Sequence, residues 1–223
     1  MNKLSEDFEY ALSKFGAPIL GERAPPALFD KYQGRLPKSL LEFWEFAGFG
    51  VWLEGYFQFC NPDRYRPIVE MVLGNDLQLK AEFSHIIGFS AFGRALVWNE
   101  NYRVADIDML YHNVLCSELF KPNPKISDEI NIGVAISSVD DEANDPPDES
   151  GRDMYKRVFK AHGPLKFGQI YAPKLHPALG GPVTVDNFRP ASALEALALS
   201  AQAGPFTLRN ATSFPVRDVR QLG

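Results

Sequence analysis

The residues best suited to nucleophilic catalysis are His112 and Cys116, which lie four positions apart. On a helix this spacing places two side chains on one face, where a histidine can activate a thiol. The segment around them favours a strand and a loop instead, and such a site also needs an orienting group and an oxyanion pocket. A hydrolase that uses His112, Cys116 or Asp106 is therefore the third of our three functional hypotheses.

A metal site is the second kind of chemistry to consider. Asp106 and Asp108 flank Ile107, so on a strand both carboxylates lie on one face, where they can ligate a cation. A solvated strand face is the more common role of such a pair. No histidine lies three or four positions from another, and the HExxH and Cys-x-x-Cys patterns are absent. We expect no metal, no cofactor and no catalytic residue.

Glycine-rich and cysteine patterns add no chemistry. Residues 88–93 (GFSAFG) differ in spacing from the Gly-x-Ser-x-Gly nucleophile elbow and predict a turn between strands. The phosphate loop of the Walker type and GxGxxG are both absent. Cys60 and Cys116 each lie in an apolar run, which predicts two buried, reduced thiols, with a disulfide between them as the open alternative.

Charge is unevenly distributed along the chain, whose formal net charge is -5. Residues 140–151 (DDEANDPPDESG) contain six acids and no base, and the rest of the chain contains 22 acids and 23 bases. A chain with no general basic surface lacks the electrostatic footprint for nucleic acid, so we expect no direct nucleic-acid binding. The first residues carry no apolar signal core, and no apolar run approaches the roughly 18 residues of a membrane span. We therefore expect a cytoplasmic protein that does not contact a membrane.

The acidic segment also marks a predicted domain boundary. Residues 140–151 lack aromatic and β-branched side chains, so they have little to bury, and we expect a mobile, solvated linker. The prediction is an α+β domain at 1–139, the linker at 140–151, and a small α/β domain at 152–223. Because about 70 residues are marginal alone, we expect the second domain to pack on the first.

Capping residues and apolar periodicity place the secondary structure. N-terminal helices followed by mostly antiparallel strands are typical of an α+β fold. The predicted helices are 5–14, 26–32, 37–47, 62–73, 153–161 and 191–203. The predicted strands are 50–53 and 56–60, joined as a tight hairpin at 54–55, then 84–90, 95–98, 103–107, 110–115, 132–136 and 183–185, with 165–171 extended.

Aromatic residues crowd into one stretch of the first domain, and most are expected in the core. An exposed aromatic patch for a partner is the alternative, because aromatic side chains dominate interface hot spots. These residues are Phe43, Trp44, Trp52, Tyr56, Phe57 and Phe59.

Several motifs in order resemble a GAD-like domain. They are Leu36-Pro37, Leu40-Leu41, Phe43-Trp44, Gly48-Phe49-Gly50, the run from Phe57 to Tyr65 (FQFCNPDRY), the run from Phe89 to Gly93 (FSAFG), and Trp98. Later motifs are similar to the small C-terminal domain of the Tdi-type immunity proteins of type VI secretion DNase toxins. Those are the run from Met154 to Phe159 (MYKRVF), Gly163-Pro164-Leu165, Gln169-Ile170-Tyr171 and the run from Pro177 to Gly181 (PALGG). The resemblance covers roughly residues 5–110 and 152–208.

The resemblance implies an immunity protein that binds a cognate secreted toxin, expected to be a DNase effector, and occludes its active site. Acidic side chains favour association with the basic groove of a nuclease. The acids of the linker are the first candidates for partner contact, namely Asp140, Asp141, Glu142, Asp145, Asp148 and Glu149. The second hypothesis is a housekeeping or regulatory module that binds a protein or a ligand. The oligomeric state stays open.

Overall fold

A large, mostly antiparallel sheet organises the residues that the computed structural model describes, which are 4–16, 19–140 and 145–223. The helices there are α1 (Glu6–Phe15), α2 (Pro26–Tyr32), α3 (Lys38–Ala47), α4 (Pro62–Leu73), α5 (Ser117–Phe120), α6 (Asp128–Ser137), α7 (Tyr155–His162) and α8 (Ala193–Gln202). The strands are β1 (Ile19–Glu22), β2 (Phe49–Trp52), β3 (Phe57–Phe59), β4 (Ser84–Ser90), β5 (Arg94–Asn99), β6 (Arg103–Asp108), β7 (Asn113–Leu115), β8 (Gln169–Pro173), β9 (Phe188–Ser192), β10 (Phe206–Asn210) and β11 (Arg217–Leu222). The predicted α+β class is confirmed.

The strands of the main sheet follow the order β1-β2-β3-β4-β5-β6-β7-β10-β11. Every neighbouring pair is antiparallel except β7 and β10, which run parallel with Asn113 opposite Thr207. Strands β8 and β9 form a separate antiparallel pair. The chain therefore returns from its C-terminal third to extend the sheet that its first half began.

Two apolar cores lie on opposite faces of the sheet, because side chains alternate along each strand. On β5, Leu96 and Trp98 belong to one core and Val97 to the other. The first core also contains the buried faces of α1, α3 and α6, and the second contains those of α4 and α8. A sheet covered on both faces explains why β4 is buried along its whole length.

Several sequence signals act locally as expected. The Asn61 side chain accepts the Asp63 N–H at 3.0 Å and caps α4, which begins at Pro62. The predicted turn after Ser90 is present, with Gly93 at φ 82° before β5 begins. Strands β2 and β3 pair antiparallel as predicted, but a short 3-10 turn over Leu53–Gly55 joins them.

The strand predicted at 132–136 is wrong, because these residues lie in α6. The Ser127 hydroxyl accepts the Ile130 N–H at 3.3 Å and starts the helix. Gly133 packs so closely on Asp7 of α1 that an added Cβ would lie 2.3 Å from its Oδ2. Ile132 and Ile136, one helical turn apart, are fully buried. Tertiary packing therefore outweighs the β propensity of three isoleucines.

The short strand predicted at 183–185 is also wrong. A 3-10 turn occupies Val185–Asn187, and the strand follows it as β9, paired with β8. The last two strands, β10 and β11, had no counterpart in the prediction. They hold the C-terminal third of the chain to the main sheet.

The division at 140–151 stays a prediction. Both apolar cores contain residues from either side of that segment, such as Met154 and Tyr171 in the first and Leu197 and Leu208 in the second. Across the part of the chain that the structure describes, no helix combines the length and the apolar character that crossing a bilayer requires.

Candidate functional site

Three acids of the predicted linker, Asp140, Asp145 and Asp148, have partners within the chain. Asp140 forms an ion pair with Lys14 of α1 at 3.1 Å. Asp145 accepts the backbone N–H of Tyr155 at 2.7 Å, at the start of α7. Asp141 and Glu142 lie outside the described residues. A partner-binding role for all six acids stays a prediction.

Asp148 is the most deeply embedded of these acids, with a side chain only 6% exposed. The Arg157 guanidinium lies 2.6 Å from its carboxylate. Hydrogen bonds from the Ser150 hydroxyl and the backbone N–H of Arg152, with help from Arg157, hold the pKa of Asp148 well below its usual value. Glu149 is exposed and contributes only its backbone N–H, donated to Val183. The expectation of a wholly solvated segment is therefore wrong at Asp148.

The three residues of the hydrolase hypothesis are not in contact with one another. The Cys116 thiol donates to the carbonyl of Tyr102 at 3.7 Å, and burial raises its pKa to about 11. The His112 ring stacks on Phe206 with centroids 4.3 Å apart. Asp106 pairs with Arg94 at 3.1 Å. These three residues form no nucleophile–base pair. Both cysteines are free and buried, as predicted.

A serine and a histidine that the sequence did not single out do meet. Ser200 Oγ lies 2.9 Å from His176 Nε2, and both contact the carbonyl of Met109. The Ala178 N–H donates to His176 Nδ1 at 3.2 Å, which places the proton of the neutral ring on Nε2. Nε2 therefore donates and cannot accept the proton of Ser200. This contact is structural and lacks the geometry of an activated nucleophile.

The aspartate pair of β6 does not form a metal site. Asp106 is paired with Arg94, and Asp108 accepts the N–H groups of Leu110 and Tyr111, both at 3.0 Å. Burial raises the pKa of Asp108, which further disfavours the charged form a cation requires. Among the described residues, no group of three or more His, Cys, Asp and Glu side chains is arranged to hold a metal.

A large open groove lies between α2 and α3, called here the α2–α3 groove. Its wide half has a volume of about 910 Å³, its narrow half has about 630 Å³, and Pro26, Phe29 and Glu45 line both. The wide half is further lined by Asp30, Gln33, Gly34, Arg35, Leu36, Pro37, Lys38, Leu41, Glu42, Trp98, Glu100, Asp128 and Glu129. The narrow half is further lined by Arg23, Ala24, Pro25, Trp44, Phe46, Ala47 and Gly48.

Because of helical periodicity, the acids of α2 and α3 lie on the helix faces that line this groove. In α2, Leu28 and Tyr32 are buried at a spacing of four, which leaves Asp30 on the open side. In α3, the core positions 40, 41, 43 and 44 are buried. Glu42 lies between them and is partly exposed, and Glu45 follows them and is exposed. The acids come from charged positions that an amphipathic helix leaves to solvent.

The wide half is strongly acidic, with six carboxylates against the two cations Arg35 and Lys38. Some of these acids already have partners. Glu100 pairs with Arg35 at 2.7 Å, and Glu129 accepts the N–H groups of Lys38 and Ser39 at 2.8 and 2.9 Å, which caps α3.

Two acids of the groove differ from the rest. Asp30 and Glu45 are exposed and make no ion pair or side-chain hydrogen bond within the described part of the chain. Glu42 pairs only with Lys38, whose side chain is 81% exposed, at 3.2 Å. The groove therefore presents uncompensated negative charge above an apolar floor that includes Phe29 and Leu41.

The crowded aromatics are buried, as the core interpretation predicted. Phe43, Trp44 and Phe59 are 0% exposed, and Trp52 is 1% exposed. Tyr56 and Phe57 line a smaller cavity of about 270 Å³ beside Arg94. The aromatic segment therefore forms the wall of two recesses without forming an exposed patch.

Comparison with known proteins places this architecture in a class. Residues 6–111 match the GAD-like domain, which covers the helices of the groove and strands β1 to β6. The crystal structure of Atu4351 from Agrobacterium tumefaciens is similar over 97% of this chain and 98% of that one, with 47% sequence identity and a TM-score of 0.94. The chain therefore belongs to the family of Atu4351 and carries a GAD-like domain. No curated protein matches it significantly.

Proposed function

We propose that this chain is a non-enzymatic binding protein of the cytoplasm that neutralises a cognate toxin by covering the toxin's active site. The observation that carries the proposal is the α2–α3 groove, whose wide half keeps two exposed acids, Asp30 and Glu45, without an ion pair among the described residues. A toxin that cleaves DNA needs a basic surface to hold its substrate. An acidic groove is complementary to such a surface and competes with DNA for it.

The charge of the groove acts at two stages of binding. Uncompensated acids such as Asp30 and Glu45 attract a basic partner from a distance and raise the association rate. Acids with internal partners, such as Glu100, fix the shape of the groove and contribute less to attraction. The apolar floor then supplies area that is removed from water when the partner docks.

The toxin partner is proposed from the resemblance of the C-terminal motifs. Residues 6–111 form the GAD-like domain, and that domain contains α2 and α3 of the groove. The motifs after residue 152 resemble the second domain of Tdi-type immunity proteins. A DNase effector is therefore the partner class that we propose.

The decisive experiment is co-purification with the product of the neighbouring gene, followed by a DNase assay. The proposed function predicts a stable complex in which DNA cleavage is suppressed. The charge-reversed variant Asp30→Lys/Glu45→Lys should weaken the complex about 10- to 100-fold at low salt, since two attractive contacts become repulsive. Glu149→Lys, a reversal at an exposed acid outside the groove, is the matched control.

Two results would overturn this proposal. The first is a neighbouring gene that encodes no toxin, together with no bound protein. The second is a complex whose affinity responds to Glu149→Lys as strongly as to the double groove variant. In that second case the acidic segment, and not the groove, would be the contact surface.

A ligand-binding module is the second candidate, and the cavity beside Arg94 favours it. Tyr56, Ser90, Arg94 and Asp106 place polar groups around about 270 Å³, close to the size of small-molecule sites. A thermal-shift screen tests this role, because a ligand of the native state raises Tm. A hit lost in Ser90→Val and kept in Asp30→Lys/Glu45→Lys would favour this module over toxin neutralisation.

A further inference from the structure

A loop over residues 174–182 is closed at its base by one side chain. Asn187 Oδ1 accepts the N–H of Leu175 at 3.1 Å. Asn187 Nδ2 donates to the carbonyls of Leu175 and Pro182, both at 2.8 Å. These bonds join the two ends of the loop through a side-chain amide, which does not titrate near neutral pH. The base of the loop is therefore insensitive to protons.

The tip of this loop is held by a side chain that does titrate. His176 Nδ1 accepts the N–H of Ala178 at 3.2 Å and caps the 3-10 turn over Pro177–Leu179. This turn opens the PALGG motif, residues 177–181. The usual capping side chains are Asn, Asp, Ser and Thr, which keep their acceptor near neutral pH. A histidine cap loses its acceptor when Nδ1 takes up a proton.

The same ring fastens the tip to the body of the protein through its second nitrogen. Because Nδ1 accepts, the neutral His176 ring carries its proton on Nε2. This Nε2 lies 3.0 Å from the Met109 carbonyl and 2.9 Å from Ser200 Oγ of α8. A second proton must go to Nδ1, where it would face the N–H of Ala178. Protonation of His176 therefore replaces a hydrogen bond with a contact between two donors.

His112 gives the closed loop a further reason to exclude positive charge. Its ring stacks on that of His176 with centroids 4.7 Å apart, and on Phe206 with centroids 4.3 Å apart. His112 is 8% exposed, and its Nε2 has no hydrogen-bond partner among the described residues. Burial lowers the pKa of both histidines, and the neighbouring His176 lowers the pKa of His112 further. The closed cluster therefore holds fewer protons than an open one.

The groups around the two rings only partly oppose this preference. Asp108, at the end of β6, acts to raise the pKa of His176, but burial has the larger effect. The carbonyls of Ser200 and Pro205 act in the same direction on His112, and burial again has the larger effect. From α8 and β10 the rings meet an uncharged hydroxyl and an uncharged aromatic ring. The other titratable side chains of the adjoining turn and loop are Tyr111 and Lys174.

We propose that His176 is a pH-sensitive latch, in which uptake of a proton at Nδ1 releases the tip of the loop, residues 176–181, while Asn187 keeps the base closed and the rest of the fold stays intact. The released tip uncovers the Met109 carbonyl and the His112 ring, both of which His176 contacts in the closed state. Such a latch acts whether or not the chain neutralises a toxin.

The expected response follows from the difference in proton uptake between the closed and open loop. In the open loop the histidine takes up a proton near its ordinary pKa of about 6.5, and in the closed loop only at lower pH. Opening therefore becomes more favourable as pH falls below about 6.5. One proton should make it about five- to tenfold more favourable at pH 5.5 than at pH 7.5.

The first measurement is amide hydrogen exchange of the full chain by NMR at these two pH values, corrected for the intrinsic effect of pH on exchange. The N–H groups of Leu179 and Gly181 donate to the His176 carbonyl at 2.8 and 3.1 Å and report on the tip. Their protection should fall about five- to tenfold at pH 5.5, whereas amides of β5 should keep theirs. Unchanged protection at the tip, or an equal loss in β5, would overturn the latch.

A non-titrating cap provides the sharpest variant. In His176→Asn the amide oxygen can take the place of Nδ1 and accept the Ala178 N–H, and it has no proton to gain near pH 6. The protection of Leu179 and Gly181 should then be the same at both pH values within twofold. His162→Asn, at an exposed histidine that ends α7, is the matched control and should retain the full response. A response that survives in His176→Asn would contradict the assigned role of this ring.

A measurement on the parent chain keeps the test valid if His176→Asn prevents folding. Side-chain 15N NMR reports which ring nitrogen carries the proton, and at pH 7.5 the His176 proton should be on Nε2. As pH falls, protonation of Nδ1 should follow the same curve as the loss of protection at Leu179. A proton found on Nδ1 at pH 7.5, or a ring that stays neutral while the tip opens, would sink the proposal.

Discussion

Acidic residues are concentrated in two regions of the molecule, and the two use them differently. In the segment 140–151 the acids are adjacent in sequence, and Asp148 is enclosed by Ser150, Arg152 and Arg157. In the α2–α3 groove the acids come from distant parts of the chain, and Asp30 and Glu45 have no described side-chain partner. Charge that appears free in a sequence can be neutralised by the fold. The charge with which a surface attracts a partner must therefore be counted after the acids in internal ion pairs are left out.

The largest effect on stability is expected at Asp148. Asp148→Asn retains the size of the side chain but loses the charge that Arg152 and Arg157 contact, so Tm should fall by on the order of 5 °C. Thermal unfolding followed by circular dichroism measures this change. The control Glu149→Gln, at the exposed neighbour, should shift Tm by less than about 1 °C. Equal shifts would remove the distinction between embedded and exposed acids.

Acid titration sharpens the same contrast. The pKa of Asp148 is lowered in the folded state, so its stabilising contribution is complete above the unfolded value of about 3.9 and is lost as pH falls towards the lowered value. The stability difference between the parent chain and Asp148→Asn should therefore shrink as pH falls below about 4. A difference that stays constant over this range would mean that Asp148 acts through its shape alone. Urea unfolding at a series of pH values measures it.

A smaller effect of pH on stability, near pH 6, is expected from His112 and His176. Burial lowers the pKa values of His112 and His176, whose rings stack with centroids 4.7 Å apart. The unfolded chain therefore takes up these protons first, and stability that is complete above about pH 6.5 is lost as pH falls towards the lowered values. Tm should fall by on the order of 3 °C between pH 7 and pH 5.5. His176→Gln should reduce this fall, whereas Asp148→Asn should leave it unchanged.

The smallest effect on stability is expected in the groove. Asp30→Asn and Glu45→Gln remove charges that have no described side-chain partner, so each should change Tm by less than about 1 °C. The association rate of the cognate toxin should nevertheless fall several-fold at low salt, and this loss should vanish at high salt. Stopped-flow kinetics at low and high salt measures the association rate, and thermal unfolding measures Tm. A large fall in Tm would show that these acids stabilise the fold after all.

Local signals in the sequence were sufficient for most elements of the first half. Asn61-Pro62-Asp63 specifies the start of α4 through one cap and one proline, and the structure shows that cap. The same reasoning failed at 132–136, where the packing of α6 on α1 outweighs the β propensity of its isoleucines. It also missed β10, although Phe206 and Leu208 alternate with polar residues, because one short alternation is a weak signal.

The candidate site was less accessible from the sequence, for a physical reason. Glu42 and Glu45 are two ordinary charges on the outer face of a helix, and Asp128 starts another helix far along the chain. Only the packing of α6 beside α3 brings them to one groove. Composition instead directed attention to the segment 140–151, where Asp140 and Asp148 already form ion pairs within the chain.

The parallel pairing of β7 with β10 has a consequence for how the chain reaches its native state. Asn113 and Thr207 are opposite each other although roughly 90 residues separate them, so a long loop must close before the edge of β7 is covered. High contact order of this kind slows folding. Until closure, β7 presents open N–H and C=O groups to which a strand of another chain can add. Covering the edge of β7 therefore removes a site at which another chain could add.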